Sequence, residues 1–323
     1  MQTAVVAIGG NSLIRAGEKG TIAEQMANVR RTADALVGLI QDGYGLVITH
    51  GNGPQVGAAL LRSERAADEA YRLPLDVCVA ATQGEIGYLL QQALTARLSK
   101  AGLKRPVVSL LTQVVVAKDD PAMAHPTKPI GPFYTQRDAE SRRARFGWSI
   151  VEDAARGWRR VVPSPQPLEI IEEDAIRALV ASGALVIACG GGGIPVVREN
   201  GHFSGVDAVI DKDSASVLLA LQVRAELLVI STDAEFVYVN YKKPDQRPLE
   251  QVDAAELRRY YDAGEFPAGS MGPKVAAALR FVESGGQRAL ITTYERLEDA
   301  MRGRAGTHVV PTRNIATGAV ACR

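Results

Sequence analysis

The sequence is poor in the residue types that build disulfide frameworks and metal centres. Its three cysteines (Cys78, Cys189, Cys322) are odd in number and far apart, which excludes a disulfide-stapled scaffold. Four histidines (His50, His125, His202, His308) are as scattered, and no zinc-ligand spacing links them to one another or to the cysteines. No apolar run reaches the roughly 18 residues of a membrane span. The N-terminus enters a strand pattern directly, without a signal peptide, so a cytoplasmic location and no membrane partner are expected. A net charge of +1 gives neither an acidic tail nor a strongly basic nucleic-acid surface. The Gly-x-Ser-x-Gly elbow of serine hydrolases is missing. So is the Gly-x4-Gly-Lys-Ser/Thr loop, and any nucleotide site must use another scheme.

What remains is an ordinary globular composition, 46% hydrophobic and 23% charged over 323 residues, enough for one large α/β unit or two modest domains. Strand and helix signals alternate from the start. TAVVAI reads as a strand ended by Gly9-Gly10-Asn11. A capping box, Thr21 with Glu24, opens a helical stripe that stops at Asp42-Gly43. LVITH is the next strand, and Gly51-Asn52-Gly53-Pro54 turns it into a helix. A long helix is expected from about Asp76 to Lys100. VVSLLTQVVVA then reads as one buried strand. Leu185–Ala188 runs into Gly190–Gly193, Asn200-Gly201 reads as a hairpin turn, and LLVIST, RALITT and THVV add strands. This rhythm predicts a mainly parallel sheet covered on both faces.

One segment breaks the rhythm. From Lys118 to Arg160 the chain is rich in Pro, Arg and aromatics and holds both tryptophans; nine Lys/Arg against six Asp/Glu leave 9 − 6 = +3. That is too long for a bare loop and too mixed in charge for a nucleic-acid patch. A small protruding subdomain, or lid, is expected.

Three strand ends carry glycines where a helix is expected to begin: Gly9-Gly10-Asn11, Gly51-Asn52-Gly53 and Gly190–Gly193. Glycine allows close backbone approach, and free N–H groups at a helix start favour an anion. Strand C-terminal ends share one edge in such sheets, so three loops together point to an anion site. GNGPQVG nearly matches a dinucleotide fingerprint and keeps a nicotinamide-dependent dehydrogenase open as an alternative. The acid expected after the following strand is missing, however. Three lysines complete the pattern: Lys212 in AVIDKDSAS, Lys274 in GSMGPKVAAAL and Lys128 in PTKPIGPFY. Read alone, VIDKD is a helix start capped by Asp213, with Lys212 a solvated charge. Lysines on separate elements aimed at one edge would instead suit phosphoryl transfer, which needs positive charge around the moving group.

The stretches AIGGNSL, THGNGPQVG, ATQGEIGY, PTKPIGPFY, RRVVPSPQP, CGGGGIPV, AVIDKDSAS, STDAEFVYVNY and GSMGPKVAAAL occur in order along the chain. With them the sequence resembles the carbamate kinases of the amino-acid-kinase superfamily over essentially its whole length. The resemblance implies a three-layer αβα fold with a central mainly parallel sheet plus the protruding subdomain at about 118–160. It implies an N-terminal lobe (1–220) for carbamate or carbamoyl phosphate and a C-terminal lobe (221–323) for the nucleotide. Transfer would run reversibly between ATP and carbamate, with Mg2+ bridging phosphates, no resident metal, and a homodimer; a related kinase acting on another small acid is the nearer alternative. Other superfamily members carry a lysine in the first glycine loop where this chain has Ala7, and carbamate kinases use the lysine of VIDKD instead. Lys128, Lys212, Asp211 and Lys274 are thereby the catalytic candidates. Gly9, Gly10, Asn11, Gly51, Asn52 and Gly53 would hold carbamoyl phosphate. Asp213, Thr232, Asp233, Tyr238, Met271, Gly272 and Lys274 would line the nucleotide site. Glu85 and the tail ATGAVACR carry no family expectation.

Overall fold

The computed structural model describes residues 2–15, 17–152, 157–267 and 269–312. An eight-stranded sheet forms the centre, in the order Gln251–Asp253, Thr307–Val310, Arg288–Thr292, Leu227–Ser231, Thr3–Ile8, Gly45–His50, Leu185–Ile187 and Val107–Ser109. All its pairings are parallel except that between Arg288–Thr292 and Thr307–Val310. The central strand shows why the sequence lacks a polar alternation there. Val5 faces one core, with Val217, Leu279 and Val282 of covering helices, while Ala4, Val6 and Ile8 face the other, with Val29, Leu36, Ile86 and Leu90. From Ala4 to Ile8 both sides of the pleat are buried, so each of those positions is apolar.

The helix Ile22–Gln41 starts on a complete capping box: Thr21 N donates to Glu24 Oε2 at 2.8 Å and Glu24 N to Thr21 Oγ1 at 3.3 Å. It ends at Asp42, followed by Gly43 with φ +89°. The long helix spans Leu75–Lys100. Its apolar residues lie on several sides and are mostly consumed within the chain. Val79, Ile86, Leu89, Leu90, Leu94 and Leu98 are all buried, and Val77 alone of that set is exposed.

Two expectations about strands are corrected. VVSLLTQVVVA is two strands, Val107–Ser109 in the central sheet and Gln113–Val115 in a second, four-stranded sheet with Glu169–Ile170, Ile194–Glu199 and His202–Gly205. The chain changes sheets at Thr112, where the Gln83 side chain replaces a ladder partner: Thr112 N donates to Gln83 Oε1 at 2.8 Å and Gln83 Nε2 to Thr112 O at 3.2 Å. Gly190–Gly193 is followed by the strand Ile194–Glu199 rather than a helix, after one 3-10 turn.

The excursion holds a three-stranded antiparallel sheet of Lys128–Tyr134, Trp158–Val162 and Ser149–Glu152, with the helix Gln136–Phe146 packed on it. Ala139, Trp148 and Ile150 form its separate core, joined by Tyr134, Phe146 and Trp158. The strand Lys128–Tyr134 lies on the helix Gly53–Arg65 so closely that a Cβ on Gly57 would fall 2.0 Å from Gly131 Cα. The third glycine of the near-fingerprint thus serves this packing contact, not a pyrophosphate.

Candidate active site

The strand register brings the glycine loops together. Ile8 pairs with His50, so Gly9-Gly10 and Gly51–Gly53 leave the sheet side by side, with Gly51 N donating to Ile8 O at 3.1 Å. The third loop closes over them. A side chain on Gly191 would overlap the Asn52 amide, at 2.2 Å from its nitrogen, and one on Gly192 would fall 2.4 Å from Ile210 O. Glycine is required at both, because φ is +66° and +91° and no Cβ fits. The neighbouring Cys189 is fully buried, and burial together with the nearby Glu172 pushes its thiol pKa up. Cys78, raised to about 11 by burial and then by Asp76, is equally inert. Neither is a nucleophile.

The segment Ala208–Ile210 reaches the same edge as buried irregular chain. Asp211, not Asp213, caps the helix Lys212–Gln222, its Oδ1 accepting from Asp213 N at 2.9 Å and Ser214 N at 3.1 Å. Its other oxygen accepts from Lys128 Nζ at 2.6 Å. Burial alone would raise the Asp211 pKa, but Lys128 and the helix N–H groups outweigh it and hold the carboxylate ionised. Asp213 is free of capping duty and only 6% exposed; Lys212 Nζ stands 2.8 Å from its Oδ1, and Lys274 Nζ stands 3.7 Å from its Oδ2. The shorter contact is an ion pair without the alignment of a hydrogen bond. Lys212 Nζ also comes within 3.5 Å of Ala7 O. Its ammonium therefore occupies the edge beside the first strand, from a different element. Three lysines from three elements are gathered by Asp211 and Asp213, which flank one of them in the chain.

Beside Lys274 lies a cavity of about 410 Å3 lined by Thr232, Asp233, Tyr238, Tyr241, Phe266 and Met271, among others. Tyr238 and Tyr241 stand with ring centroids 6.1 Å apart, offering flat apolar surface to a planar ring. Gly272 sits in the first turn of the helix Met271–Glu283, where a Cβ would meet Pro267 O at 2.9 Å. It shapes the wall without lining it. Asn52 departs from its expected contact: it is 2% exposed and its Nδ2 donates to Thr82 Oγ1 at 2.9 Å, which leaves its backbone to face a ligand. The Asn11 side chain and the tail after Thr312 lie outside the described residues.

Sequence reasoning missed several supports. Thr49 Oγ1 and Ser216 Oγ share a 2.6 Å hydrogen bond, and Ser216 Oγ donates to Lys212 O at 2.7 Å. These fix the Lys212 helix to the strand Gly45–His50. Glu64 accepts from Trp148 Nε1 at 3.1 Å and Arg160 at 2.9 Å, tying the excursion to the helix Gly53–Arg65. No local pattern marks either link, since each joins distant segments. Tyr241 closes the quoted stretch STDAEFVYVNY without having been singled out, and Phe266 and Pro267 lie just before GSMGPKVAAAL.

His50 lies under the glycine loops, 1% exposed, with Nδ1 3.0 Å from Gly51 O. Burial, helped by Lys212 and opposed by that hydrogen bond, lowers its pKa from 6.5 to about 4. The unfolded chain takes up a proton near pH 6.5 that the folded chain refuses until about pH 4. Stability should therefore fall as pH drops through that window, by roughly 3 kcal/mol for this group. Urea midpoints compared between pH 7 and 4.5 check this: His50→Gln should show a shallower decline than the parent, and parallel declines would count against it.

A model of the amino acid kinase family matches residues 2–293. Carbamate kinase of Thermococcus kodakarensis is 51% identical over 314 residues, covering 96% of this chain and 99% of its own. Carbamate kinase of Pyrococcus horikoshii is 49% identical over 310 residues, covering 95% and 98%. Among solved structures, carbamate kinase from Giardia lamblia bound to AMP-PNP superposes with a TM-score of 0.89 at 44% identity, covering 96% of this chain and 99% of that one.

Proposed function

The chain belongs to the carbamate kinases of the amino acid kinase family, and on that premise we infer that it transfers a phosphoryl group reversibly between ATP and carbamate. The physiological direction is written as carbamoyl phosphate plus ADP giving ATP and carbamate, which breaks down to ammonia and CO2. The observation that carries the reading is the gathering of Lys128, Lys212 and Lys274 by Asp211 and Asp213 between the glycine loops and the 410 Å3 cavity. Phosphoryl transfer asks little covalent chemistry of the protein and much positive charge, pre-positioned around the moving group.

In this reading residues 1–220 hold carbamoyl phosphate, on the N–H groups of Gly9, Gly10 and Gly51–Gly53, while Asn11 and Asn52 belong to the same loops. Residues 221–323 hold the nucleotide, with its base near Tyr238 and Tyr241 and its phosphates toward Met271, Gly272 and Lys274. Thr232 and Asp233 line the remaining wall. Lys212 contacts the transferring phosphoryl, and Asp211 and Asp213 aim the lysines. Magnesium would accompany the nucleotide and would neutralise part of the phosphate charge. Its direct protein ligands would be few, since Asp211 and Asp213 are committed to lysines. A cytoplasmic setting suits an enzyme fed by ADP, and among the described residues no helix is long and apolar enough to cross a membrane. Coupled detection of ATP formed from carbamoyl phosphate and ADP tests the reaction; absence of ATP with intact enzyme sinks it.

The segment 118–160 acts as a lid that delivers Lys128. Lys128→Ala should then raise the KM for carbamoyl phosphate at least tenfold and leave that for ADP within about twofold, an ion pair to phosphate being worth a few kcal/mol at most. Equal effects on both substrates would refute the assignment.

Assembly belongs to the same reading. Val77, Ala81, Gly84 and Tyr88 are exposed along one stripe of the helix Leu75–Lys100, spaced so that they share a face. A two-fold homodimer would cover that stripe with its own copy, and Glu85 would border it. Sedimentation at micromolar concentration should give a dimer, and Gly84→Arg a monomer. A monomeric parent protein would remove this part.

A further inference from the structure

A second cleft, of about 510 Å3, opens between the body and the subdomain, away from the glycine loops. One wall is the end of the helix Gly53–Arg65 and the turn after it; the other is the helix Gln136–Phe146. Gly53 and Arg65 stand at opposite ends of their helix, which puts the cleft about 18 Å from the substrate loops at 1.5 Å per residue. Arg65 and Arg72 project from the body and Arg142 and Arg145 from the subdomain helix.

Among the described residues none of these four guanidinium groups is ion-paired. Arg142 lies over the rings of Tyr134 and Trp148, at 4.5 and 5.3 Å, and Arg145 over Phe146 at 5.0 Å. The carboxylates in the cleft do not supply the missing charge. Glu64 is already matched by Arg160 at 2.9 Å, and Asp138 accepts from the capping Thr135 hydroxyl at 2.9 Å. That hydroxyl is neutral, so Asp138 keeps its charge, and Asp68 and Asp138 together stand against four cations, an excess of 4 − 2 = +2. Guanidinium groups clustered on one cleft repel one another, and their planar forks match oxyanions bidentately.

We propose that this cleft is a second anion site, which takes a multivalent oxyanion (a polyphosphate or a polycarboxylate) between Arg65 and Arg72 on one side and Arg142 and Arg145 on the other. Because one wall belongs to the body and the other to the subdomain, occupancy adds a tie between them beside the Glu64, Gly57–Gly131 and Lys128–Asp211 contacts. The site stands independently of the reaction assigned above.

Trp148 reports on it, being 6% exposed and flanked by Arg142 and by Arg160, whose guanidinium lies 4.7 Å from its ring. In the Trp158→Phe protein Trp148 is the only tryptophan. Its emission is titrated at low salt with inorganic pyrophosphate and, in a parallel arm, with tricarballylate. A saturable change at submillimolar concentration is expected from at least one anion, and the arm that responds identifies the source. Arg65→Ala/Arg72→Ala should weaken that binding at least tenfold. Both residues are exposed, so the variant should fold, and turnover without added anion should stay as in the parent. Ligand should also slow protease cleavage within 118–160 in the parent and not in the variant. No saturable change with either anion overturns the proposal, and so does equal affinity in the parent and the arginine variant, since that places the anion at the lysines.

Discussion

Lys212→Ala is expected to lower kcat by about two to three orders of magnitude, the range seen when one preorganised transition-state donor is removed, while the KM for ADP moves less than threefold. The side chain is only 12% exposed, so its charge acts in poorly screened surroundings where it is worth more than in water. It adjoins Asp213 and the end of the first strand, not the cavity lined by Tyr238 and Tyr241. A loss confined to kcat is what an interaction made only in the transition state produces. Removing the ammonium also leaves Asp213 buried with Lys274 at 3.7 Å as its remaining partner, which costs stability. Lys212→Ala/Asp213→Asn separates the effects: it should recover thermal stability without recovering turnover. Retention of a tenth or more of the parent kcat in a folded Lys212→Ala protein would remove Lys212 from the chemistry.

Gly57→Ala should lower kcat/KM for carbamoyl phosphate by about a hundredfold through geometry alone. The new methyl would lie 2.0 Å from Gly131 Cα and 2.2 Å from Gly131 N. Both obstacles are backbone, one element a helix and the other a strand, so neither yields as a side chain would. Gly131 cannot easily re-turn either, since it already sits at φ +73°. The strand must lift off, and Lys128 at its start moves off Asp211. Misplacement by about 1 Å is enough for a loss of this size. The nucleotide cavity shares no residue with this contact, so ADP affinity should hold. Gly57→Ala/Lys128→Ala should be little worse than the poorer single variant, because both act through one ammonium. Additive losses in that double variant would disconnect the Gly57 contact from Lys128.

Much of the architecture was legible because it is locally written. Thr21 and Glu24 cap their helix wherever it packs, and the buried run Ala4–Ile8 of a central parallel strand is apolar on both faces. Other readings failed where a local signal had two outcomes. Asp211 and Asp213 are equal as caps on paper; the tertiary position of Lys128 and Lys212 decided which one caps and which one faces the lysines. VVSLLTQVVVA has the composition of one strand, and only Gln83, 29 residues upstream, breaks it in two. Gly190–Gly193 predicts a close backbone approach but not what approaches, which proved to be Asn52 and Ile210.

The sequence by itself determined the alternating fold, the glycine loops, the lysine set and, through nine ordered motifs, the family. These depend on residue type and on neighbours a few positions away. Only the tertiary structure decided how the lysines are shared between two aspartates, that Asn52 spends its amide on Thr82, that most large apolar residues of the long helix are buried within one chain, and that four arginines meet in a cleft. Each is a contact between segments remote in sequence. Such contacts follow from how closely packed surfaces meet, and spacing along the chain carries no record of them.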